Sequence, residues 1–375
     1  MEIKLKKKIL ILFGTRPEAI KMAPLVQGFK NDLTFNVKVC VTAQHREMLD
    51  QVLSFFNIIP DYDLNLMKPN QNLYNLTSEI ILGLKSILEE YKPDYLFVHG
   101  DTTTTMAGSI SGYYAGVKVC HVEAGLRTFN KYAPFPEEIN RSITARIADY
   151  HFAPTEQSKK NLLNENIPEK NILVSGNTVI DALLDGIEKV KKTKSSIIND
   201  LELLVDSTKD ILLVTGHRRE NHGKGFIDIC KALREISKLS NIQIIYPVHL
   251  NPNVQEPVKK YLSNINNIKL IDPLPYEAFI WLMNKSKIII TDSGGIQEEA
   301  PSLGKPVLVL RENTERPEAV DAGTVKLVGT DIKKIVSETN SLLNNSELYK
   351  HMSKLHNPYG DGSASKKIIQ FIRDN

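Results

Sequence analysis

The sequence predicts an α/β protein of two domains, each built around a parallel, doubly wound sheet. Short runs of β-branched and other apolar residues alternate with longer helical patterns, which is typical of βαβ units. The runs lack polar alternation, so the strands should be buried on both faces. The pattern restarts in the second half of the chain, and 375 residues exceed what one ordinary core holds.

The first half predicts six strands and six helices in alternation. The strands are expected at 9–13, 37–42, 95–99, 118–122, 150–153 and 172–174. The helices are expected at 17–31, 46–56, 73–91, 104–115, 139–148 and 156–165. Pro24 lies inside the first helical pattern, where it predicts a kink or an early stop. Asp61-Tyr62-Asp63 has no clear strand context and is interpreted as a loop.

The second half repeats this organisation after a Lys-rich helical stretch at 181–206. Its strands are expected at 211–215, 243–248, 268–271, 287–291, 306–310 and 325–328. We place the first domain at 1–176 and the second at 177–362. A Pro/Gly-rich break then precedes a last helix, which Ser363 can cap. Because ligands bind beyond the carboxyl ends of parallel strands, two halves facing each other should enclose a ligand cleft.

Composition excludes several classes of protein. The net charge is +3 at pH 7, so a polyanionic backbone is not an expected partner, although a local site for one phosphorylated ligand stays open. Three widely spaced cysteines, Cys40, Cys120 and Cys230, predict no disulfide framework and suit a reducing cytoplasm. No apolar run is long enough for a membrane span or a signal peptide. We therefore expect neither nucleic acid nor membrane as a partner.

The common cofactor motifs are also missing from the sequence. It contains no GxGxxG pattern of nicotinamide-binding folds and no GxxxxGK[ST] phosphate loop. It has no HExxH motif and no spaced Cys/His set of the kind that binds zinc. The expectation is a protein without a redox cofactor or a metal ion.

Charged residues follow the predicted strands of the first half. Gly14 permits a tight turn after the first strand, and Arg16 and Lys21 at the next helix would add positive charge for an anion. Asp101, Glu123 and Glu137 follow later strands at loop positions that should converge on one rim. Helix capping is the alternative for Asp101 and Glu137, and an ion pair with Arg127 is the alternative for Glu123. Three acids at one rim favour a functional role.

The second half shows a similar pattern. His217 and Arg218 follow its first strand. A single histidine is usually structural, which is the alternative for His217, but a histidine beside two arginines at a strand end indicates a phosphate site. Ser293-Gly294-Gly295 follows another strand and opens a helix in which Glu299 lies one turn further on, placed to accept ribose hydroxyls. Arg316 comes from the loop after the next strand. An ordinary helix start is the alternative for the Ser-Gly-Gly segment.

Together these motifs resemble one family closely, the non-hydrolysing UDP-N-acetylglucosamine 2-epimerases. The matching segments are 13–24, 42–48, 98–104, 121–127, 134–141, 215–221, 291–301 and 311–318. The similarity runs from about residue 9 to the last helix. It implies a GT-B-type fold with the nucleotide sugar in the central cleft, and a C-terminal helix, 363–375, that crosses back to the first domain. It also implies a homodimer and a supply of sugars for cell-surface polysaccharide.

The resemblance implies roles for individual residues. Those that line the reacting sugar and phosphates are Arg16, Lys21, Asp101, Glu123, Glu137 and His217, with catalysis expected from the three acids and the histidine. Those that hold UDP are Ser293, Gly294, Gly295, Glu299 and Arg316, with Phe279 near the uracil. Leu274 stands where a polar residue is expected.

Some bacterial members of this family bind a second UDP-GlcNAc as an activator beside the active site. Gln44, His217 and Arg218 match that allosteric site. Glu47 and Asn70 depart from it, because the resemblance leads us to expect Gln and Arg at these two positions.

The implied reaction converts UDP-GlcNAc to UDP-ManNAc through loss and re-addition of UDP, with 2-acetamidoglucal as the intermediate. Such a reaction needs acid/base groups near C2 and cations for the departing diphosphate. Alternative enzymes are a GT-B glycosyltransferase, an epimerase for a modified UDP-sugar and a hydrolysing epimerase. A non-catalytic nucleotide-sugar sensor is the alternative from another class.

Overall fold

The structure is a computed structural model that describes residues 6–43, 46–68, 71–193 and 195–375. The chain divides into two compact units. The first extends to Leu184 and also includes Tyr359–Asn375, and the second is Asp185–Pro358. Across the described ranges, no helix is both long and apolar enough to cross a membrane.

The first unit contains a parallel sheet of seven strands. They are β1 (Lys7–Phe13), β2 (Phe35–Val41), β3 (Tyr62–Asp63), β4 (Tyr95–His99), β5 (Lys118–Val122), β6 (Tyr150–Ala153) and β7 (Ile172–Val174). Their order in the sheet is β3-β2-β1-β4-β5-β6-β7. The chain runs outward from the centre in both directions, because β1 pairs with β2 on one side and with β4 on the other.

Helices connect these strands, as the continuous apolar strands predict. They are α1 (Arg16–Lys30), α2 (Arg46–Phe55), α3 (Leu73–Tyr91), α4 (Thr103–Tyr114), α5 (Glu137–Ile147), α6 (Glu156–Asn164) and α7 (Thr178–Lys192). Three buried phenylalanines, Phe29, Phe97 and Phe152, form successive ring contacts within the core. Thr15 and Thr102 cap α1 and α4 with their hydroxyls, so both helices begin at the carboxyl edge of the sheet.

The second unit contains a six-stranded parallel sheet. Its strands are β8 (Asp210–Thr215), β9 (Ile242–Pro247), β10 (Ile268–Ile271), β11 (Ile288–Thr291), β12 (Val307–Val309) and β13 (Val325–Leu327). The order is β10-β9-β8-β11-β12-β13. Its helices are α8 (Ser196–Leu204), α9 (Lys224–Ile236), α10 (Pro252–Leu262), α11 (Tyr276–Lys285), α12 (Gly294–Glu299), α13 (Pro317–Asp321), α14 (Ile332–Asn344) and α15 (Ser346–Lys354).

The structure contradicts one local prediction and one of two alternatives in another. Asp61-Tyr62-Asp63 is not only a loop, because Tyr62–Asp63 forms the edge strand β3 and pairs with β2. A two-residue strand is too short to show an alternation of apolar and polar residues, so it is recognised only from its pairing with the neighbouring strand. Helix α1 also does not stop early at Pro24 but continues to Lys30. Pro24 is buried together with Ala23 and Leu25, and this packing outweighs one missing helical hydrogen bond.

The unit boundaries differ from the positions 176 and 363 placed by sequence. The first half of α7 belongs to the first unit, and so does the C-terminal helix α16 (Ala364–Asp374). Asp181 of α7 accepts hydrogen bonds from the backbone nitrogens of Ala364 and Ser365 and from the Ser365 hydroxyl, at 3.2, 2.8 and 2.6 Å. These contacts tie the start of α7 to the start of α16.

Candidate active site

The strand order of the first unit puts its central crevice between β1 and β4, whose following loops lead away in opposite directions. Glu18 joins these two loops. Its buried carboxylate accepts from the backbone nitrogens of Gly14 and Thr15 at 3.1 and 2.8 Å, and from the Thr102 hydroxyl at 2.7 Å. Burial raises the pKa of Glu18, while these hydrogen bonds act in the opposite direction. The loop of Arg16 is thereby held against the loop of Asp101.

Glu123 lies after β5 with a left-handed backbone (φ 61°), which is uncommon for a residue other than glycine. Its side chain is 10% exposed and forms an ion pair with Lys21. The Asn177 amide nitrogen donates to the same carboxylate oxygen at 2.9 Å. The amide oxygen of Asn177 accepts from the Val179 backbone nitrogen at 3.0 Å, which fixes the amide orientation. Two donors, one on α1 and one in the segment just before α7, therefore hold this acid in place.

Three buried histidines surround this part of the sheet. Burial lowers the pKa of His99 to about 4, of His121 to about 3 and of His151 to about 4. All three are therefore neutral at pH 7. His99 Nε2 lies 3.8 Å from the Glu123 carboxylate, and His121 Nε2 lies 2.7 Å from the Gly100 carbonyl oxygen. The proximity to Glu123 was not predicted from sequence.

Asp101 forms an ion pair with Arg141 of α5. Asn140, also on α5, donates to the Asp101 carbonyl oxygen at 2.9 Å. Glu137 is the first residue of that helix and is half-buried. Helix α5 therefore brings Glu137 into the region of Asp101.

The alternative interpretations of the acids do not hold. Thr102, and not Asp101, supplies the capping side chain of α4. Glu137 is not a cap either, because α5 begins after Pro136. Arg127 pairs with Glu165, at 2.6 and 2.8 Å, and does not pair with Glu123.

The crevice of the second unit lies between β8 and β11. Asp292, which follows β11 and is fully buried, accepts from the backbone nitrogens of His217 and Arg218 at 2.9 and 2.8 Å. His217 Nδ1 lies 3.5 Å from its other oxygen, and the His217 ring stacks on His249 at 5.4 Å. Partial burial lowers the pKa of His217, whereas the Asp292 charge acts in the opposite direction.

The Ser-Gly-Gly segment starts α12, and Ser293 makes no capping hydrogen bond with its side chain. A Cβ atom on Gly295 would meet nothing within 4 Å, whereas one on Gly294 would lie 2.9 Å from the Arg316 guanidinium carbon. Arg316 donates to Glu298 at 2.8 Å. Glu299 is 8% exposed at the end of α12.

The contacts described above do not involve Phe279 or Leu274. Phe279 and Leu274 are half-buried, the first on α11 and the second just before it. Gln44, predicted for an allosteric site, and Asn70 lie outside the described residues. Within the described parts of the chain, no group of three or more His, Cys, Asp or Glu residues could hold a metal ion.

The model of the UDP-N-acetylglucosamine 2-epimerase family matches residues 27–373. The chain belongs to this family. It is 57% identical over 372 residues to the UDP-N-acetylglucosamine 2-epimerase of Escherichia coli, covering 98% of this chain and 99% of the relative. The Salmonella typhimurium enzyme of the same name is also 57% identical over 369 residues, with 98% of each chain covered.

A solved structure extends the comparison. The Neisseria meningitidis UDP-GlcNAc 2-epimerase, crystallised with UDP-GlcNAc, is 52% identical, with a TM-score of 0.89 over 98% of this chain and all of that one. The family resemblance is thus confirmed, as is the GT-B-type fold with two parallel α/β domains.

Sequence reasoning missed three residues that hold the site together, Glu18, Asn177 and Asp292, and it missed the position of His99 beside Glu123. Glu18 had a local signal, since Thr15-x-x-Glu18 is a capping box. Asp292 had a weaker signal, since it precedes the Ser-Gly-Gly segment at a strand end. Asn177 follows β7 and gave no signal of its own.

Proposed function

We propose that this chain catalyses the reversible, non-hydrolytic epimerisation of UDP-GlcNAc at C2 to give UDP-ManNAc. The observation that carries the proposal is a full-length similarity to proteins with this name, one of which was crystallised with UDP-GlcNAc. The carboxylates at the carboxyl edge of the first sheet support it, because the reaction needs proton transfer near C2.

The reaction must remove a C2 proton that has no neighbouring carbonyl group to stabilise the carbanion. Breaking the C1–O bond to UDP as a base removes this proton solves the problem, because the electrons of the C2–H bond form the C1–C2 double bond. The products are 2-acetamidoglucal, bound UDP and a protonated base. Re-addition of UDP to C1, with protonation of C2 from the other face by a second acid, gives the epimer. The protonated base and the deprotonated acid then return to their starting states by proton exchange with solvent.

We assign the acid/base work to Asp101, Glu123 and Glu137, and the stabilisation of departing UDP to His217 and Arg16. Lys21 supports Glu123 through its ion pair, in addition to the phosphate role that the resemblance implies. The UDP moiety is assigned to the second unit, through Ser293, Gly294, Gly295, Glu299 and Arg316, with Phe279 beside the uracil. Backbone amides and cations suit a diphosphate, and carboxylates suit ribose hydroxyls.

The leading alternative is a glycosyltransferase, which shares the fold and the UDP-sugar but needs an acceptor. Asp101, Glu123 and Glu137 favour the epimerase, because transfer to an acceptor does not require proton exchange at C2. An epimerase for a modified 2-acetamido sugar would use the same groups. A non-catalytic sensor would not need Glu123 beside Lys21.

The test is incubation with UDP-GlcNAc alone in D2O, followed by proton NMR. We expect UDP-ManNAc with solvent deuterium at C2, without added cofactor or acceptor. Complete epimerisation with the original hydrogen retained at C2 would overturn an elimination in which the C2 proton exchanges with solvent. Free ManNAc would identify a hydrolysing enzyme, and an unchanged substrate would favour the sensor or a modified sugar.

We also propose that the protein is a cytoplasmic homodimer that supplies polysaccharide synthesis. Three buried, free cysteines support a reducing compartment. An exposed apolar surface on α3 and α4 supports a dimer, since Leu82 and Tyr114 are 70% and 75% exposed beside a groove of about 290 Å3. Leu82→Glu should then give a monomer in light scattering. Leu203→Glu, on an exposed residue of α8, should leave the dimer intact.

For the second UDP-GlcNAc site, we propose Gln44, Arg218 and His217 on the resemblance alone. Cooperative dependence of the rate on UDP-GlcNAc concentration, lost in Arg218→Ala, would support it. Hyperbolic kinetics in the unchanged protein would contradict it.

A further inference from the structure

The two oxygens of Asp292 have different surroundings. One oxygen accepts from the backbone nitrogens of His217 and Arg218 and lies 3.3 Å from the Asn221 amide nitrogen, which also donates to it. The other oxygen is buried and, across the described residues, accepts no hydrogen bond. It lies 3.5 Å from His217 Nδ1. The first oxygen thus fixes the loop of His217, and the second faces its ring.

A buried carboxylate oxygen without a donor is costly, and the nearest titratable nitrogen is His217 Nδ1. A proton on Nδ1 satisfies both atoms once the gap closes by a few tenths of an ångström, as active-site contacts often do when substrate binds. A proton on Nε2 alone would instead set the Nδ1 lone pair against the carboxylate. The surroundings therefore select one protonation pattern of the ring.

We propose that Asp292 is a positioning residue that keeps His217 protonated at Nδ1 and leaves Nε2 as the atom presented to substrate. In its assignment of His217 to the reaction, this inference rests on the proposed function. When Nε2 also takes a proton, the ring becomes an imidazolium whose charge is balanced by Asp292, which suits stabilisation of a departing diphosphate.

Other charged groups near the ring oppose this effect. His249 stacks on His217, and Arg218 follows it in the chain; both disfavour a second proton on the ring. Asp292 is the group that favours it. Removal of the Asp292 charge should therefore lower the pKa of His217.

The alternative is that Asp292 only fastens the loop, as Glu18 does in the first unit. Asp292→Asn separates the two roles. The Asn oxygen can accept the same three donors, while its NH2 group replaces the oxygen that faces Nδ1. Nδ1 must then accept, and the neutral ring must carry its proton on Nε2.

The experiment is 15N NMR of protein labelled at the histidine rings, with His217→Gln to assign the signals of His217. We expect a neutral ring protonated at Nδ1 in the unchanged protein and at Nε2 in Asp292→Asn. Glu18→Gln is the matched control, a buried carboxylate of the first unit whose change should not alter the His217 signals. An Nε2-protonated ring in the unchanged protein would overturn the inference, and this result does not depend on the folding of Asp292→Asn.

Kinetics give a second readout. For Asp292→Asn we expect kcat to fall by about tenfold or more while KM changes by less than about threefold, because the imidazolium acts on the departing group. Activity should fall as the pH rises and the His217 imidazolium loses its proton. In Asp292→Asn this fall should occur about one pH unit lower. A folded variant with unchanged kcat, pH profile and tautomer would mean that Asp292 only holds the loop of His217 in place. If the protein epimerises no UDP-sugar, the proposed function fails, but the tautomer result stands.

Discussion

At the central crevice of the first sheet, Glu18 directs both carboxylate oxygens at backbone amides and threonine hydroxyls. At the equivalent crevice of the second sheet, Asp292 directs one oxygen at backbone amides and the other at the ring of His217. Both carboxylates are buried and both join the two loops of their crevice. Of the two, Asp292 also faces a titratable side chain. A buried carboxylate at such a crevice can therefore hold a loop in place, and it can in addition determine where a neighbouring histidine is protonated.

The two crevices differ as well in how their polar groups are paired. In the first unit the acids face cations, as in Lys21–Glu123 and Arg141–Asp101. In the second unit, Gly295 is open to approach, and His217 remains 45% exposed on its side chain. This difference supports the proposed assignment of proton transfer to the first unit and of UDP binding to the second.

The largest expected loss of activity comes from substitution of the acids in the first crevice. Glu123→Gln should lower kcat for epimerisation by roughly 10²–10⁴, the range for a lost general acid or base. Asp101→Asn and Glu137→Gln should fall in the same range. Glu165→Gln, which changes an acid paired with Arg127, is the control and should stay near the unchanged rate. Equal rates for Glu123→Gln and the control would remove Glu123 from the mechanism.

A substitution in the second crevice should lower the activity less. We expect His217→Ala to lower kcat by about a hundredfold, as when one electrostatic group is removed from an active site. Steady-state kinetics decide between two roles. A raised KM with near-normal kcat would mean that His217 binds substrate equally in the ground and transition states.

Glu299→Ala tests ribose binding in the second unit. A hydrogen bond to a charged group contributes about 1.5–3 kcal/mol, so the Kd for UDP should rise roughly tenfold to a hundredfold in calorimetric titration. Glu256→Ala, on an exposed face of α10, is the matched control. An unchanged Kd in Glu299→Ala would contradict the assignment.

Substitutions of Glu18 test whether this carboxylate serves only to hold the two loops of the first crevice together. Glu18→Ala leaves the Gly14 and Thr15 amides without their acceptor and should cost about 1–3 kcal/mol in chemical denaturation. Glu18→Gln should cost less, because its oxygen can accept from those amides while its NH2 group faces the Thr102 and Thr105 hydroxyls, which can accept. Equal losses in both variants would show that the negative charge itself is needed.

The last comparison concerns the stability of the protein in acid. The pKa of His121 is about 3 in the folded state, against a usual value of 6.5, so the unfolded chain binds the extra proton between these values. Stability is therefore lost as pH falls below about 6.5, by up to about 1.4 kcal/mol per pH unit for this residue. Glu18 and Asp181, whose pKa values burial raises, act with the opposite sign.

His121→Gln isolates this contribution, because Gln can still donate to the Gly100 carbonyl oxygen. The difference in unfolding free energy between variant and unchanged protein should shift in favour of the variant as the pH falls from 6.5 to 4. A constant difference over that range would contradict a neutral, buried His121. Glu18 and Asp181 are present in both proteins and cancel in this comparison.

Much of the fold could be predicted from the sequence because its strands are buried on both faces. Among the almost entirely buried strands, β4, β5 and β6 have the bounds of the predicted ranges 95–99, 118–122 and 150–153. Continuous apolar runs mark such strands without reference to any neighbour. The two-residue β3 depends on pairing with β2, so local patterns could not reveal it. The helical pattern at 17–31 did indicate α1, but only packing decided that Pro24 does not end this helix.

For the site, the sequence by itself determined which residue types stand at the strand ends: Asp101, Glu123, His217 and the Ser-Gly-Gly segment. Only the tertiary structure decided their partners. Lys21 and Glu123 are 102 positions apart, Asn177 and Glu123 are 54 apart, and the loops of His217 and Asp292 meet across 75. Neighbouring parallel strands are joined through helices, so side chains that meet at one sheet edge are distant in sequence, and pairing of their charges is settled only by the folded chain.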